Sequence, residues 1–328
     1  MKTSVSVIIP FKDRFDLVDR AVASVMQQTY SQFEIILVND GSTSSLEREY
    51  LMDSRVQYLE NPQNQGPGRS RDNGLQVAKG KYVAFLDSDD YWHPEFLSST
   101  VEEIEKDEDL PFVYSYTAEV NSNGEVTGRR RGGNVRAENI LPTILKTGRP
   151  WSTSSCLWRK SVIDRIGGYP EGYIYEDYVL DTKAALISNK VSFVARDLTF
   201  MDMEDDGKIT KNFTPEKCMR KLDSLQTIIG AVKDSYVFGA DSVRMRLYTS
   251  YVSTLGQLLD RMTTFASYPI DRYLSTLEYF DTVSVGERIG IQVGYRFMPQ
   301  QTARFLRYKK RVAKRSMQRI PEELVFEV

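Results

Sequence analysis

Apolar and amphipathic segments alternate along the N-terminal part of the chain. Residues 5–9 and 33–38 are rich in β-branched and other apolar side chains and predict two buried strands, and residues 56–59 and 83–86 predict two shorter ones. Between the first two strands, apolar side chains recur at the spacing of one helix face: Leu17, Val18, Ala21, Val22 and Val25. Apolar strands that alternate with helices predict an α/β fold with a parallel sheet covered on both sides.

A cluster of polar residues follows each of three predicted strands. The clusters occupy residues 10–14, 39–42 and 87–90. In open parallel sheets, ligands bind just outside the carboxyl ends of the strands, near the point where the strand order reverses. We therefore expect the three clusters to meet at one edge of the sheet and to form a ligand site there.

The third cluster holds the carboxylates of Asp87, Asp89 and Asp90, directly after an apolar run. Like charges this close repel one another, so the cluster is costly unless a positive charge lies beside it. Mg2+ and Mn2+ prefer oxygen ligands and often bind through one or two carboxylates together with substrate phosphates. The pattern predicts a site for a cation and a diphosphate, against the alternative of a solvated acidic turn.

The rest of the chain divides into an irregular part and a helical part. Residues 91–212 show less regular periodicity than the segments before them. Thr214 and Pro215 are typical of a helix start, and residues 213–328 have mostly helical periodicity. The sequence therefore predicts an α/β domain over residues 1–212, followed by a helical extension.

Composition excludes several classes of function. The 328 residues carry a net charge of −2, so the molecule as a whole is not built to coat nucleic acid. Cys156 and Cys218 provide neither a disulfide framework nor metal-ligand spacing, and the single histidine, His93, excludes histidine-rich metal sites. The N-terminus lacks a signal-peptide pattern, and no apolar run reaches the roughly 18 residues that cross a bilayer. We expect a cytoplasmic protein.

Side chains at the predicted edge can supply most parts of a site for an activated, diphosphate-bearing donor. Asp13 and Asp40 can accept hydrogen bonds from a nucleobase imide and from ribose hydroxyls, and Arg71 can reach the base pocket or the phosphates. The carboxylates of the third cluster can bind ribose and a cation. Further along the chain, Asp177 can take a proton from an acceptor hydroxyl.

The order and spacing of five motifs resemble those of the family 2 glycosyltransferases, which have the GT-A fold. The motifs are VSVIIP at 5–10, FEIILVNDGST at 33–43, GRSRDNG at 68–74, FLDSDD at 85–90 and ED at 176–177. The resemblance covers roughly residues 4–205. It implies a Rossmann-like, mostly parallel sheet flanked by helices. It also implies inverting transfer of a sugar from a nucleotide diphosphate donor, with Mn2+ or Mg2+ as cofactor.

Carried over position by position, the resemblance assigns roles to individual residues. The residues implied to bind the nucleotide or donor are Pro10, Phe11, Asp13, Arg14, Asp40, Asn64, Gly68, Arg71, Asp87 and Ser88. Asp89 is implied to ligate the metal, and Asp177 matches the acidic base of the family, which deprotonates the acceptor. The donor part of the catalytic domain would lie at about residues 4–100, and the part with the acceptor and the base at about 101–212.

Several positions depart from the family pattern. Lys12 stands where the family often has an aromatic residue, and residues 70–72 read Ser-Arg-Asp in place of Ala-Arg-Asn. The Gln-x-x-Arg-Trp signature of processive members is absent after Asp177, which favours single additions. The family often has a late histidine that contacts metal or phosphate, but no histidine follows His93 here. Candidates to replace it are Asp202, Glu204 and Lys208.

We therefore predict an inverting, metal-dependent transferase that adds one sugar to a saccharide or lipid-linked glycan during cell-surface polysaccharide or glycoconjugate synthesis. A UDP-sugar is the first donor to test, because Asp13 and Asp40 suit uracil and ribose. One alternative is a sugar-phosphate nucleotidyltransferase, which usually has a glycine-rich, basic loop where residues 10–14 contain no glycine. A second is a non-catalytic binding or scaffold module on the same fold, against which the intact acidic residues argue.

Residues 304–319 form a basic segment with interleaved apolar side chains and no acidic residue. A basic amphipathic helix can lie on an anionic membrane surface, which would bring a lipid-linked acceptor within reach at the inner face of the membrane. The alternative is a solvated or oligomer-facing helix, so a homo-oligomer stays open. We do not expect a nucleic-acid partner, because no binding motif accompanies the charge.

Overall fold

The computed structural model describes residues 4–121, 124–132, 140–170, 172–202, 214–261, 270–280, 291 and 299–317. The chain divides into two compact units. The first comprises residues 1–172 and 176–208, and the second comprises residues 173–175 and 209–328.

The strands of the first unit form one sheet. They are β1 Val5–Phe11, β2 Phe33–Asn39, β3 Val56–Glu60, β4 Tyr82–Phe85, β5 Asp90–Trp92, β6 Phe112–Val120, β7 Val126–Arg131, β8 Cys156–Arg159 and β9 Ser192–Asp202. Their order is β3-β2-β1-β4-β8-β6-β9-β5, and β7 pairs with β6. The strands β3, β2, β1 and β4 are parallel, as are β6 and β9, whereas the other pairs are antiparallel. The predicted α/β architecture is confirmed.

Helices flank this sheet and also make up the described part of the second unit. In the first unit they are α1 Phe15–Met26, α2 Pro67–Val77, α3 Phe96–Ile104, α4 Ile140–Thr147, α5 Lys160–Arg165 and α6 Glu176–Ile187, with 3₁₀ turns at Glu49–Met52 and Thr153–Ser155. In the second unit they are α7 Pro215–Val232, α8 Asp241–Arg261, α9 Ile270–Ser275 and α10 Pro299–Met317, with 3₁₀ turns at Tyr236–Gly239 and Thr276–Tyr279. The predicted helical C-terminal region is confirmed.

The first strand, β1, lies between β2 and β4 in the sheet, and both of its faces are covered. Every residue of β1 is buried. Val7 and Ile9 belong to the core that includes the apolar face of α1, whereas Ile8 lies against Gly74 of α2. The fully apolar sequence of this strand therefore has a direct structural reason, since alternate side chains meet helices on opposite sides of the sheet.

The carboxyl ends of the central strands are in register. Phe11 of β1 pairs with Asn39 of β2, and Asn39 pairs with Glu60 of β3. On the other side of β1, Ile8 pairs with Phe85, which ends β4. The chain segments that leave these strands therefore start from the same end of the sheet, at the carboxyl ends of the strands, which we call the carboxyl edge.

The strand β1 extends further than its sequence pattern predicted. It continues to Phe11, because residues 10 and 11 keep the parallel pairing with β2. The prediction that residues 10–14 all follow the strand was therefore wrong for Pro10 and Phe11, which are buried within it. The ring of Phe11 packs against Phe15 and Tyr58, with centroids 6.2 Å and 6.4 Å away.

In the second unit, α7 begins as its sequence predicted. The Lys217 amide donates a hydrogen bond of 3.3 Å to the Thr214 hydroxyl, and Pro215 is the first helical residue. The helix α10 packs on α8, and Lys310 of α10 donates to Ser253 of α8 at 2.7 Å. Among the helices that the structure describes, none combines the length and the apolar character that crossing a bilayer requires.

The approach of α2 to β1 depends on the absence of a side chain at Gly74. A Cβ atom there would lie 2.6 Å from Cγ2 of Ile8. We expect Gly74→Ala to lower the free energy of unfolding by up to about 2 kcal/mol, because an overpacking cost of about 1–3 kcal/mol outweighs the roughly 1 kcal/mol helix preference for alanine. Chemical denaturation of wild type and variant measures the difference.

The matched control is Gly230→Ala in α7, an exposed helical position where a Cβ atom would meet nothing within 4 Å. Only the helix preference acts there, so this variant should be more stable than wild type by up to about 1 kcal/mol. If Gly74→Ala stabilised the protein as much as Gly230→Ala does, the close packing of α2 on β1 would be wrong.

Candidate functional site

The loops that follow β1 and β2 are joined through the side chain of Asp13. Its Oδ1 atom accepts hydrogen bonds from the amide and the hydroxyl of Thr43, at 2.8 Å and 2.9 Å, and its own amide donates to the Ser42 hydroxyl at 2.8 Å. These Thr43 hydrogen bonds lower the pKa of Asp13 below its usual value. The carboxylate form of Asp13 therefore holds the two loops together.

Two consecutive residues in the first of these loops adopt left-handed backbone conformations. Asp13 has a φ of 54° and Arg14 a φ of 53°. Non-glycine residues with positive φ are uncommon, and strained backbone of this kind is concentrated at functional sites. The turn carries the chain into α1, and Nη1 of Arg14 lies 3.7 Å from the Asp89 carboxylate.

Asp40 organises the segment that leads into α2. Its Oδ1 accepts from the side-chain amide of Asn61 at 2.9 Å and from the Gln65 amide at 2.8 Å, and its Oδ2 accepts from the Gly66 amide at 2.8 Å. The Gly66 amide also donates to Oδ1 of Asn64 at 3.0 Å. Asp40 and Asn64, both expected at the donor site, thus shape the same loop.

Arg71 connects the acidic turn after β4 to the start of α6. The acidic turn comprises residues 87–90. Nη2 of Arg71 forms an ion pair with Asp87, and Nη1 lies 3.5 Å from the Glu176 carboxylate. The guanidinium also stacks 5.1 Å above the ring of Tyr169. Its side chain is only 6% exposed, so these contacts are shielded from water.

The three carboxylates of the acidic turn converge as the sequence predicted. Oxygen atoms of Asp87, Asp89 and Asp90 all lie within 4.8 Å of one another. Asp90 is 3% exposed and accepts a hydrogen bond from the Ser154 hydroxyl, which in turn accepts one from the Asp87 amide at 3.1 Å. Burial, together with the charges of Asp87 and Asp89, raises the pKa of Asp90 well above its usual value.

This donor set fits a hard divalent cation. All three side chains offer carboxylate oxygens, which Mg2+ and Mn2+ prefer. A cation would also relieve the repulsion that disfavours charge on Asp90. Ser88 is buried within the same turn.

Asp202 lies beside the acidic turn and is joined to it by Arg20. Nη2 of Arg20 donates to the Asp89 carbonyl at 2.6 Å, and Nη1 lies 3.4 Å from Oδ2 of Asp202. The Arg20 guanidinium also stacks 5.0 Å above the ring of Tyr91. Asp202 is thus near the turn but is not one of the three converging carboxylates. The other two candidates for the missing histidine, Glu204 and Lys208, lie outside the described residues.

Asp177 belongs to a second group of side chains, which we call the base cluster. Its members are Arg149, Trp151, Thr153, Asp177 and Asp181. Oδ2 of Asp177 forms an ion pair with Arg149 and accepts a hydrogen bond of 3.2 Å from Thr153, and Oδ1 accepts from the Tyr178 amide at 2.8 Å. The Glu176–Arg71 pair lies next to it and connects the base cluster with the acidic turn.

Arg149 and Asp181 were not predicted from the sequence. Arg149 forms ion pairs with both Asp177 and Asp181, and the fully buried Asp181 also accepts from the indole of Trp151 at 2.8 Å. Burial raises the pKa of Asp181 to about 6, although Arg149 opposes the shift. The spacing of Asp177 and Asp181, four residues apart on one helix face, is a sequence signal for a shared cationic partner.

The structure thus brings most of the predicted residues to one region. Asp13, Arg14, Asp40, Asn64, Arg71, Asp87, Ser88 and Asp89 belong to the loops and the helix start at the carboxyl edge. Gly68 is buried in the first turn of α2. Pro10 and Phe11 lie in β1, and Asp177 lies in the base cluster.

Sequence comparison identifies relatives for the segment that carries this region. The sequence model of the family described as Glycosyl transferase family 2 matches residues 6–165. The Escherichia coli protein WfaP, named as a UDP-Glc:α-D-GlcNAc-diphosphoundecaprenol β-1,3-glucosyltransferase, is 37% identical over 113 residues, which cover 34% of this chain and 45% of WfaP. The chain spans only about a quarter of the length of several other curated relatives.

Two solved structures share the fold. TarS of S. aureus, solved as residues 1–349 with UDP-GlcNAc, has a TM-score of 0.65 at 18% identity, covering 94% of this chain and 92% of the solved 1–349 chain. PcManGT of Pyrobaculum calidifontis, solved with GDP-Man and Mn2+, has a TM-score of 0.52 at 14% identity, covering 97% and 88%. At these identities the likeness shows the fold alone.

Glu176 should make stability depend on pH. Burial raises its pKa from 4.5 to about 7, although Arg71 lowers it. The folded state therefore binds more protons than the unfolded state between these values, and this contribution to stability is lost as the pH rises through about 7. Relative to wild type, Glu176→Gln should gain up to about 3 kcal/mol of unfolding free energy between pH 4.5 and pH 8. Denaturant titrations at several pH values measure the gain.

Glu95→Gln is the control, because Glu95 is exposed and its pKa is lowered, chiefly by its hydrogen bond with Arg196. That variant should show no such gain at high pH. Parallel pH dependence of wild type and Glu176→Gln would contradict the raised pKa of Glu176.

Proposed function

Since the chain belongs to glycosyl transferase family 2 through residues 6–165, we propose that it is an inverting glycosyltransferase. It would transfer a single sugar from a nucleotide diphosphate sugar to a hydroxyl of a saccharide or lipid-linked glycan, in cell-surface polysaccharide synthesis. One observation carries the proposal: Arg71 contacts both Asp87 of the acidic turn and Glu176, the neighbour of Asp177. One guanidinium thus links the acidic turn, which is suited to a cation and a diphosphate, to the residue beside the group suited to proton transfer.

We propose a uridine diphosphate sugar as the donor. The loop joined by Asp13 and the loop shaped by Asp40 border the carboxyl edge, where α/β sheets bind nucleotides. The UDP-Glc in the name of WfaP supports this choice, and the UDP-GlcNAc bound to TarS agrees with it. Arg14, close to the acidic turn, is suited to pair with a phosphate group.

The proposed cofactor is Mn2+ or Mg2+. Asp89 would hold the ion, and Asp87 is close enough to assist. The Mn2+ in the PcManGT structure supports a divalent cation on this fold. When bound, such an ion stabilises the negative charge that develops on a departing diphosphate.

In the proposed mechanism, Asp177 accepts the proton of an acceptor hydroxyl. The acceptor oxygen forms a bond to the anomeric carbon while the bond from that carbon to the diphosphate oxygen breaks, and the leaving group takes the bonding electrons. Attack from the opposite face inverts the configuration, so no covalent enzyme intermediate is needed. The hydrogen bonds of Asp177 with Thr153 and Tyr178 keep its carboxylate in one orientation for this step.

Thermal unfolding with UDP, GDP, CDP and dTDP, each with and without Mn2+, tests the donor site. At about 100 times the dissociation constant, UDP with Mn2+ should stabilise the fold by about 2.7 kcal/mol, and raise its midpoint by roughly 5–10 °C. Asp89→Asn should remove the dependence on Mn2+. Asp177→Asn should keep the shift but lower the release of UDP from UDP-glucose, with a GlcNAc-diphospholipid acceptor, by at least about 100-fold.

Each outcome separates the alternatives. A shift with UDP together with a full-activity Asp177→Asn variant would remove Asp177 as the base. No shift with any nucleotide would overturn the donor site and favour a scaffold role. Release of inorganic diphosphate from UTP and a sugar phosphate would indicate a nucleotidyltransferase instead.

The helix α10 supports a peripheral membrane contact within residues 304–319. Arg304, Tyr308 and Arg311 are exposed and follow the spacing of one helix side. Vesicles containing anionic lipid should bind wild type about tenfold or more tightly than Arg304→Gln/Arg311→Gln, since each basic residue near such a surface contributes about 1 kcal/mol. Co-sedimentation with anionic and with neutral vesicles measures the binding.

The control is Arg196→Gln/Arg272→Gln, which removes two arginines whose side chains are 50% and 60% exposed and lie outside α10. This variant should bind as wild type does. Equal losses in both double variants would point to net charge alone and contradict a specific role of α10.

A further inference from the structure

We propose that Arg149 is a positioning residue for Asp177, and that the buried carboxylate of Asp181 balances its charge. The inference rests on the proposed transferase function and adds two residues to the machinery of the reaction. Arg149 would orient the base and set the pH range in which it accepts a proton, without touching either substrate.

The contacts of Arg149 fix the guanidinium between two carboxylates. Nη1 pairs with Oδ2 of Asp177 and Nε pairs with Oδ2 of Asp181. Nη1 also lies 3.4 Å from the hydroxyl of Thr153, which itself donates to Asp177. Because a guanidinium is planar and its donors point in fixed directions, these contacts define the orientation of Asp177 as well as its charge.

Burying these charged side chains costs desolvation free energy, so their presence favours a functional role. The side chain of Arg149 is 13% exposed and that of Asp181 is 0% exposed. Removing such charges from water costs several kcal/mol per ion, which well-packed apolar side chains would avoid. The Oδ2 atom of Asp181 is held by Arg149 and Trp151, while its Oδ1 has no hydrogen-bond partner among the described residues. Its contacts thus lead to Arg149, and through Arg149 to Asp177.

The same contacts leave one oxygen of the base available. Oδ2 of Asp177 is occupied by Arg149 and Thr153. Within the described part of the chain, Oδ1 accepts from the Tyr178 amide alone, and a carboxylate oxygen can accept more than one hydrogen bond. By occupying Oδ2, Arg149 would leave Oδ1 as the atom that takes the proton of the acceptor hydroxyl. With a single carboxylate beside it, the arginine would hold Asp177 more firmly in its charged form and weaken it as a base; the second carboxylate counters that effect.

Several titratable groups lie within electrostatic reach of Asp177. They are Arg149, Glu176 and Asp181 by direct proximity, and Tyr169 and Cys156 from the surrounding core. Interacting groups titrate together, so one pH profile belongs to the whole cluster. Differences between matched variants are therefore the informative measurement.

The test compares Arg149→Gln, Arg149→Lys and Asp181→Asn in the full chain, by the pH profile of kcat/KM for UDP-glucose turnover. Arg149→Gln removes a positive charge beside the base, so its acidic limb should move to higher pH by about 1 unit or more. Asp181→Asn removes a negative charge, so its limb should move to lower pH. Arg149→Lys keeps the charge but not the planar geometry, so its limb should stay near wild type while kcat falls at least about tenfold.

The controls separate this inference from the proposed function and from misfolding. Arg196→Gln removes an exposed ion pair with Glu95 elsewhere in the same unit, and its profile should match wild type. All four variants should keep the UDP-induced rise in unfolding midpoint, and the KM for UDP-glucose should stay within about twofold. Should Arg149→Gln fail to fold, the unshifted limb and lowered kcat of Arg149→Lys and the downward shift of the limb of Asp181→Asn still decide.

Two results would overturn the inference and one would overturn its premise. Acidic limbs of Arg149→Gln and Asp181→Asn that coincide with wild type would show that neither residue acts through the base. A uniform loss of kcat without a pH shift in any variant would indicate a purely structural role. If wild type itself does not turn over UDP-glucose, or Asp177→Asn is as active as wild type, the proposed function fails instead.

Discussion

Burying carboxylates beside one another requires a positive charge or a hydrogen-bond donor for each of them, and the first unit meets this requirement with arginines. Arg71 pairs with Asp87 of the acidic turn, and Arg149 pairs with Asp177 and Asp181 within the base cluster. Asp40 is stabilised by uncharged donors instead, since backbone and side-chain amides donate hydrogen bonds to it. The positions of the loops follow from these pairings, because each partner comes from a different segment of the chain.

The sheet explains why such pairings can form at all. Parallel pairing in register makes β1 and β2 end side by side, so the segments that follow them emerge together. The helix α2 approaches β1 closely at Gly74, and Arg71 lies one turn before that glycine. A close helix thus brings a long cationic side chain over the strand end, where the carboxylates are. Packing in the core and charge compensation at the carboxyl edge are therefore parts of the same construction.

The sequence predicted the features that depend on local pattern. The apolar strands, the acidic turn and the helix start at Thr214 each follow from neighbouring residues, and each is present. Phe11 was assigned to a loop because strand length depends on pairing with another strand, which one segment cannot reveal. Arg149 was missed because its partners, Asp177 and Asp181, lie 28 and 32 positions away. The spacing of the two acids favours a shared cation, but nothing local identifies Arg149 as that cation.

The Arg71–Glu176 pair limits how far the chain can be shortened without losing the candidate site. Its two members are 105 positions apart in the chain, and Glu176 lies beyond residue 165, where the family match ends. A fragment limited to the matched segment would keep Arg71 and Arg149 but lose the acidic side chains that α6 supplies. In such a fragment Arg149 would lose both of its carboxylate partners, and Arg71 would keep Asp87 but lose Glu176. The smallest competent fragment must therefore include α6.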